Sequence, residues 1–315
     1  MKFLDGGADK DFFNGLIYWL CRPYVALLAA AFLLLPSVKM LQALESGADF
    51  LNIGVSARAS ALGSAYTALA SGSNAIYYNP GGLALAKREV SLMHSAWALD
   101  GSYDFAAAAF PMAGFTGAVS FTRLDHGGLD GRGPGRESSG GFSAADKAFG
   151  LGLARTAGGF SLGVGAKLLS SSIAGYEAST LAFDVGAVRK LNAAPVTLGL
   201  AVRNMGRGLK FIEKRESLPL SVSAGAAVAV LPTISLAAEV SRLVYDRRTS
   251  FSVGTEYGLT GNLALRGGYA AGTSGVPGAM SGGIGFSAGA MKLDYSFSPF
   301  GEMDTTRKFS LSMAF

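Results

Sequence analysis

The sequence predicts an all-β fold: a closed antiparallel transmembrane β-barrel of about fourteen strands, with a short helical hatch or plug on its N-terminal side. Three observations carry this reading. From residue 89 onward, segments of roughly ten residues, separated by Gly, Asn, Asp or Pro, repeat one residue class at every second position, the period of a strand with two unlike faces. The apolar phase is bulky, whereas the other is mostly Gly, Ser and Ala with scattered charge. A soluble sandwich would instead show water many Lys, Glu and Thr side chains. Half of the 315 residues are apolar and only 16% are charged, against about 25% in soluble domains. A greasy outside with every backbone group paired calls for closure in lipid.

Residues 1–48 form the leader. "YVALLAAAFLLL" (24–35), preceded by Arg22 and stopped by Pro36 and Lys39, has the length of a signal-peptide core rather than of a membrane span. The small residues of "LQALESGAD" place cleavage after Ala43 or Ala48. The start "MKFLDGGADKDFFNG" carries three aspartates where a basic region is expected, so either translation begins later or these residues are an extension. A single membrane anchor is the alternative. The only cysteine, Cys21, falls in the leader behind "YWL", without the small residue that precedes a lipidated cysteine. The mature chain therefore has no disulfide, thiolate metal site or cysteine nucleophile. The net charge of +5 is dispersed, with no basic cluster for nucleic acid.

Residues 49–88 do not alternate. Apolar positions between Ala57 and Ala70 fit a short helix weakened by Gly63. Asn79-Pro80-Gly81-Gly82 must turn, because proline fixes φ and glycine accepts conformations closed to other residues. The segment reads as a compact insert, inside or at the mouth of the barrel, whose turn docks the hatch and aims the chain into the first strand.

The barrel occupies 89–315, with strands near 89–98, 102–112, 115–124, 145–157, 159–171, 176–190, 195–204, 218–231, 233–243, 249–258, 261–271, 280–289, 290–298 and 305–315. In the last of these Phe309, Leu311, Met313 and Phe315 alternate with Lys308, Ser310, Ser312 and Ala314. If the bulky phase faces lipid, the lumen receives Lys167, Asp184, Arg203, Glu239, Glu256, Arg266, Lys292, Asp294 and Lys308. Both signs occur in near balance, which suggests cross-barrel ion pairs, charges that hold a plug, or a merely solvated lumen. Trp97, Tyr103, Tyr176, Tyr245, Tyr257, Tyr269, Tyr295 and Phe300 are candidates for interfacial girdles. Residues 125–143 read as a mobile, Gly-rich outer loop. Its Asp125, Asp130 and Glu137, with Asp146, match no cation-loop spacing.

No catalytic, cofactor or metal site is expected. His94 beside Ser95 and His126 beside Asp125 are the only imidazoles, and a Ser-His-Asp site needs all three groups within hydrogen-bond reach. "GVGAK" (163–167) and "GGIGF" (282–286) lack the spacing and strand-to-helix context of a phosphate loop.

The stretch "DFLNIGVSARASALGSAYTALASGSNAIYYNPGGLA" (49–84) resembles the N-terminal signature of the PorV/PorQ family, within the FadL-like outer-membrane barrels. Gly54, Arg58, Gly63, Ala65 and Tyr66 match it, and "NPGGL" stands for the family's Asn-Pro-Ala-Gly turn. A second patch, "FDVGAVRK…VTLGLAVRNMG…LPLSVSAGAAV" (183–228), is similar to the family's central block. "SGS" (71–73) departs from the usual acidic run, and the inter-strand loops are short apart from residues 125–143. The resemblance implies a fourteen-stranded barrel with an N-terminal hatch in the bacterial outer membrane. It also implies that Phe315 serves as the signal read by the outer-membrane assembly machinery. The role it puts first is a component of protein secretion (type IX-like) or outer-membrane transport, acting by contacts with secreted proteins or a secretion complex. The alternatives are a FadL-like channel for hydrophobic small molecules and a structural surface barrel with a closed lumen.

Overall fold

A computed structural model of the chain describes residues 46–97, 100–135, 137–272, 278–300 and 304–315. The signal-peptide reading, with Cys21 and the Ala43 cleavage point, lies outside the described residues. The strands are β1 (Glu89–Ala96), β2 (Ser102–Met112), β3 (Phe115–Arg132), β4 (Ser138–Ala157), β5 (Phe160–Ile173), β6 (Tyr176–Lys190), β7 (Val196–Gly206), β8 (Leu209–Phe211), β9 (Lys214–Glu216), β10 (Ser221–Leu231), β11 (Ile234–Leu243), β12 (Arg248–Gly258), β13 (Leu263–Ala271), β14 (Ala279–Ala288), β15 (Met291–Phe300) and β16 (Asp304–Ala314). Fourteen of them close into one antiparallel barrel, sealed by pairing of β1 with β16, while β8 and β9 form a separate hairpin between β7 and β10. Closure leaves no unpaired edge around the wall, the condition that lipid imposes on a sheet.

The alternation read from the sequence is the inside–outside alternation of this wall. On β4 and β5, Phe149, Leu151, Leu153, Leu162 and Val164 are exposed while Ser161 and Lys167 are buried. The inward phase is small because the lumen is filled. Residues 46–88 thread through the barrel from the end that carries the β11–β12 turn (the far end) to the end where β1 begins and the chain stops (the near end).

Two departures have local causes. Residues 125–143 are not a loop: β3 and β4 continue as a hairpin, pairing Gly128 with Ser143 and Gly131 with Gly140 across a bulge after Asp125. Gly127 takes a left-handed φ of 71° there, so its glycine marks a bulge and not the end of a strand. The helix expected over 57–70 is only α1 (Ala57–Ala61), because Gly63 and Ser64 both turn left-handed, at φ 64° and 69°. A second short helix, α2 (Ala75–Tyr78), follows, and 3₁₀ turns cover Asp49–Asn52 and Pro80–Leu85.

Candidate functional site

The hatch is fixed first by its rigid turn. Asn79 is fully buried. Its Oδ1 accepts from Gly81 N at 3.1 Å, while Nδ2 donates to Thr67 O at 2.9 Å and to Ala187 O on β6 at 3.0 Å. Pro80 opens the 3₁₀ turn, where its missing N–H costs nothing. The turn lies so close to the wall that a Cβ on Gly163 would collide with the Pro80 carbonyl, and one on Gly186 with the Asn79 side chain. A Cβ on Gly81 would run into Ser161 O and Ala187 Cα, and one on Gly82 into Ala70 O. Glycine here allows backbone to approach backbone.

The signature residues lie along the same docked surface. Arg58 forms a bidentate pair with Glu256, at 2.8 Å (Nε to Oε2) and 2.9 Å (Nη2 to Oε1). Glu256 also accepts from Arg266 at 2.5 Å, and Arg266 reaches Asp294 at 2.7 Å, so four charges alternate in sign across hatch, β12, β13 and β15. Gly54 O accepts from Lys308 Nζ at 2.7 Å, and Ser60 Oγ from the same ammonium at 3.1 Å. Gly63 packs on the Tyr269 backbone and donates to Ser281 Oγ at 3.1 Å. Ala65 joins Ala227 and Ala237 in a small buried cluster. Tyr66 meets Tyr78 edge-on with centroids 5.0 Å apart.

Glu239 accepts the backbone N–H groups of Tyr66 and Thr67 at 2.9 and 2.8 Å. Arg203 stacks over Tyr77, 5.4 Å from the ring centroid. Lys167 pairs with Asp184 at 2.7 Å and donates to Asn204 at 2.9 Å. The lumen charges therefore chiefly hold the plug. Lys292 differs from the rest. Although in the inward phase, it sits one pair from the Gly289 turn, opposite Ser287, and is exposed, beyond the reach of the hatch.

Several contributors were not singled out as site residues, although Asn204 lies in the second patch of resemblance. Asn204 is buried at a left-handed φ of 61°, takes Asp184 Oδ1 with its N–H and donates to Pro219 O from its side chain. Ser310 Oγ accepts from Ala57 N at 2.8 Å, and Glu89 accepts from Ser73 N at 2.9 Å. Serine in an alternating strand looks like filler, and only the hatch opposite gives it a role.

The girdle reading is corrected at Trp97 and Tyr103. Tyr103 is fully buried and donates to Ile53 O at 2.8 Å. Trp97 packs beside it, with centroids 6.1 Å apart. Both belong to the inward phase, since Tyr103 pairs with inward-facing Ser95. Tyr176, Tyr245, Tyr257 and Tyr269 are surface residues, and Tyr295 stacks on Phe309 at 4.8 Å. The Phe300 side chain lies outside the described residues. Phe315 closes the near end, its N–H donating to Arg88 O at 3.0 Å.

Between the hatch and the far end lies a chamber of about 1240 Å³. Phe50, Ile53, Trp97, Leu129, Ile173 and Leu243 supply apolar lining, and Arg203, Glu239, Lys308 and the His126–Asp146 pair supply polar points. His126 Nε2 lies 2.9 Å from Asp146, whereas Asp125 turns to Arg123 and to Gly127 N. On β1, His94 Nδ1 meets Asp104 on the outer face at 2.6 Å while Ser95 faces inward and bonds Arg307 O. Neither imidazole is joined to the serine or aspartate beside it in sequence. Among the described residues, no three His, Cys, Asp or Glu side chains gather as a metal site. At the chamber mouth the hatch is tied by Ser46, whose N and Oγ donate to Asp246 at 2.9 and 2.6 Å. Asp49 there is pushed up to about 6 by burial and by the nearby Asp246 and Glu216, against the opposing pull of Arg248.

No family model matches the sequence, and no curated protein matches it. Solved structures share the fold. The toluene transporter TodX of Pseudomonas putida aligns with a TM-score of 0.65 at 13% identity, over 82% of this chain and 97% of TodX. The monoaromatic hydrocarbon channel CymD gives 0.65 at 12%, over 83% and 98%. A Pseudomonas aeruginosa FadL homologue gives 0.58 at 12%, over 82% and 97%. The fold is thus that of a bacterial outer-membrane barrel of the FadL type.

Proposed function

We propose that the chain is an outer-membrane channel for hydrophobic or amphipathic small molecules, acting by binding and gated passage rather than by catalysis. The observation that carries this reading is the chamber. It is large enough for a small organic solute, mostly apolar in lining, and floored by a hatch held by apolar packing together with hydrogen bonds and ion pairs. Two cations, Arg203 and Lys308, face it without a carboxylate within ion-pair distance among the described residues, so an amphiphile with an anionic end is accommodated as well as a hydrocarbon. The likeness to a toluene transporter and a monoaromatic hydrocarbon channel supports the same role. The protein-contact role in secretion rests on the PorV/PorQ resemblance alone. The experiment uses Trp97 as a reporter built into the chamber. Titration with a brominated alkane or alkanoate is expected to quench fluorescence saturably, and Trp97→Phe to remove that component. Quenching that is linear, or indifferent to Trp97→Phe, would refute the channel reading.

A further inference from the structure

The outer wall carries a feature that solute passage does not use. A groove of about 410 Å³ runs along β1 and β2 on the lipid side, between Phe309 and Leu311 on one flank and Phe121 on the other. Its floor is low because β2 presents only Ala106 where its neighbours in the same cross-strand row present Leu311, Leu92 and Phe121. One step toward the far end, the row turns polar on four adjacent strands: His94, Asp104, Arg123 and Lys147 are successive cross-strand neighbours. His94 and Asp104 keep 62% and 41% of their side chains exposed on this face, and Ser102 Oγ donates to the second oxygen of Asp104 at 3.0 Å. Ionisable groups bordering hydrocarbon are costly and call for a partner.

We propose that this groove and its polar row form a binding site for one glycerophospholipid, with an acyl chain lying over Ala106 and the phosphate at Lys147 and Arg123. The site requires a bilayer but is independent of the solute reading. Charge selects the phosphate. Asp104 is held by hydrogen bonds to His94 and Ser102, and Asp125 pairs with Arg123, while Lys147 has no carboxylate within ion-pair distance among the described residues. Lys147 is the cation left without a partner in the row, and a phosphodiester complements it. The geometry allows it: Lys147 stands two strands from Asp104, about 9.6 Å, a span that a lysine side chain and a glycerophosphate bridge together. The row also sits where head groups belong. Asp104 lies eight residues from Met112 at the near end of β2, or about 20 Å of rise for strands tilted as in such barrels.

The test is native mass spectrometry of the full-length barrel, delipidated in detergent and offered phosphatidylglycerol or dioleoylglycerol, which has the same chains without the phosphate. One phosphatidylglycerol per barrel is expected to persist under activation that strips dioleoylglycerol. Lys147→Gln should lower its apparent affinity about tenfold, the worth of a charge-assisted contact. Ala106→Phe should lower it comparably by filling the groove while leaving the wall apolar. Lys147→Gln alters no packed surface, so the test stands even if Ala106→Phe fails to fold. Equal retention of the two lipids, unchanged affinity in Lys147→Gln, or preference for a phosphorylated saccharolipid would each overturn the proposal.

Discussion

Glu256 is the point at which a single charge should decide whether the hatch stays docked. It accepts from Arg58 through two hydrogen bonds and from Arg266 through a third, and its side chain is only 20% exposed. In Glu256→Gln the shape survives but Arg58 loses its carboxylate, while Arg266 keeps Asp294. Breaking a fully buried pair from one side costs about 3–5 kcal/mol. Because Arg58 retains 27% exposure, some of that is recovered from water, and about 3 kcal/mol is the expected loss of docking free energy. The reciprocal change, Arg58→Met, leaves Glu256 still paired with Arg266 and should cost only about 1.5 kcal/mol. Each 1.4 kcal/mol is about tenfold in an equilibrium, so the undocked fraction should rise about a hundredfold in Glu256→Gln and about tenfold in Arg58→Met. Single-channel recording in planar bilayers reads this directly, as open probability through the vacated lumen. Equal effects from the two variants, or a larger one from Arg58→Met, would show that the network does not carry the hatch as the geometry implies.

Other outcomes follow from the same contacts. Gly163→Val should dislodge the Asn79–Pro80 turn and make residues 49–88 susceptible to protease while the barrel still inserts; Gly261→Ala, with nothing within 4 Å of its added Cβ, should change neither. Val119→Asp, which puts charge on an outward residue 45% exposed, should cost about 2–4 kcal/mol or less according to its depth, read by urea titration of barrel folding in vesicles. Asp49 binds its proton more tightly when docked than free, so docking of residues 46–52 is strongest below its free value of 3.8 and weakens as pH rises toward about 6, then levels off. A spin label at Asn52→Cys should therefore gain mobility between pH 4 and 6.5, and Asp49→Asn should abolish that gain. Loss of the pH response without Asp49 is the decisive result, since Asp246 and Glu216 would remain.

What was legible in the sequence is what alternation encodes. The wall repeats one rule at every strand, so Phe309 against Lys308, or Leu162 against Ser161, discloses its face without knowledge of anything across the lumen. The hatch obeys no repeat, and its position depends on partners hundreds of residues away, as Arg58 on Glu256 and Gly54 on Lys308. Composition could say that charges faced inward, but not which of them met the plug. The errors arose where a local cue had more than one cause. Glycine ends strands, and it also bulges them, which is why Gly127 and Gly140 looked like a loop inside the β3–β4 hairpin. An aromatic near a strand end marks a membrane interface only when its phase is outward. Tyr103 is one residue out of that phase, and the shift moves its hydroxyl from head groups to the Ile53 carbonyl. In a barrel, then, a residue's parity carries more functional information than its type. The small inward residues are the negative image of what fills the lumen, and Gly163 on β5 with Gly186 on β6 already outlines the Asn79–Pro80 turn pressed against them.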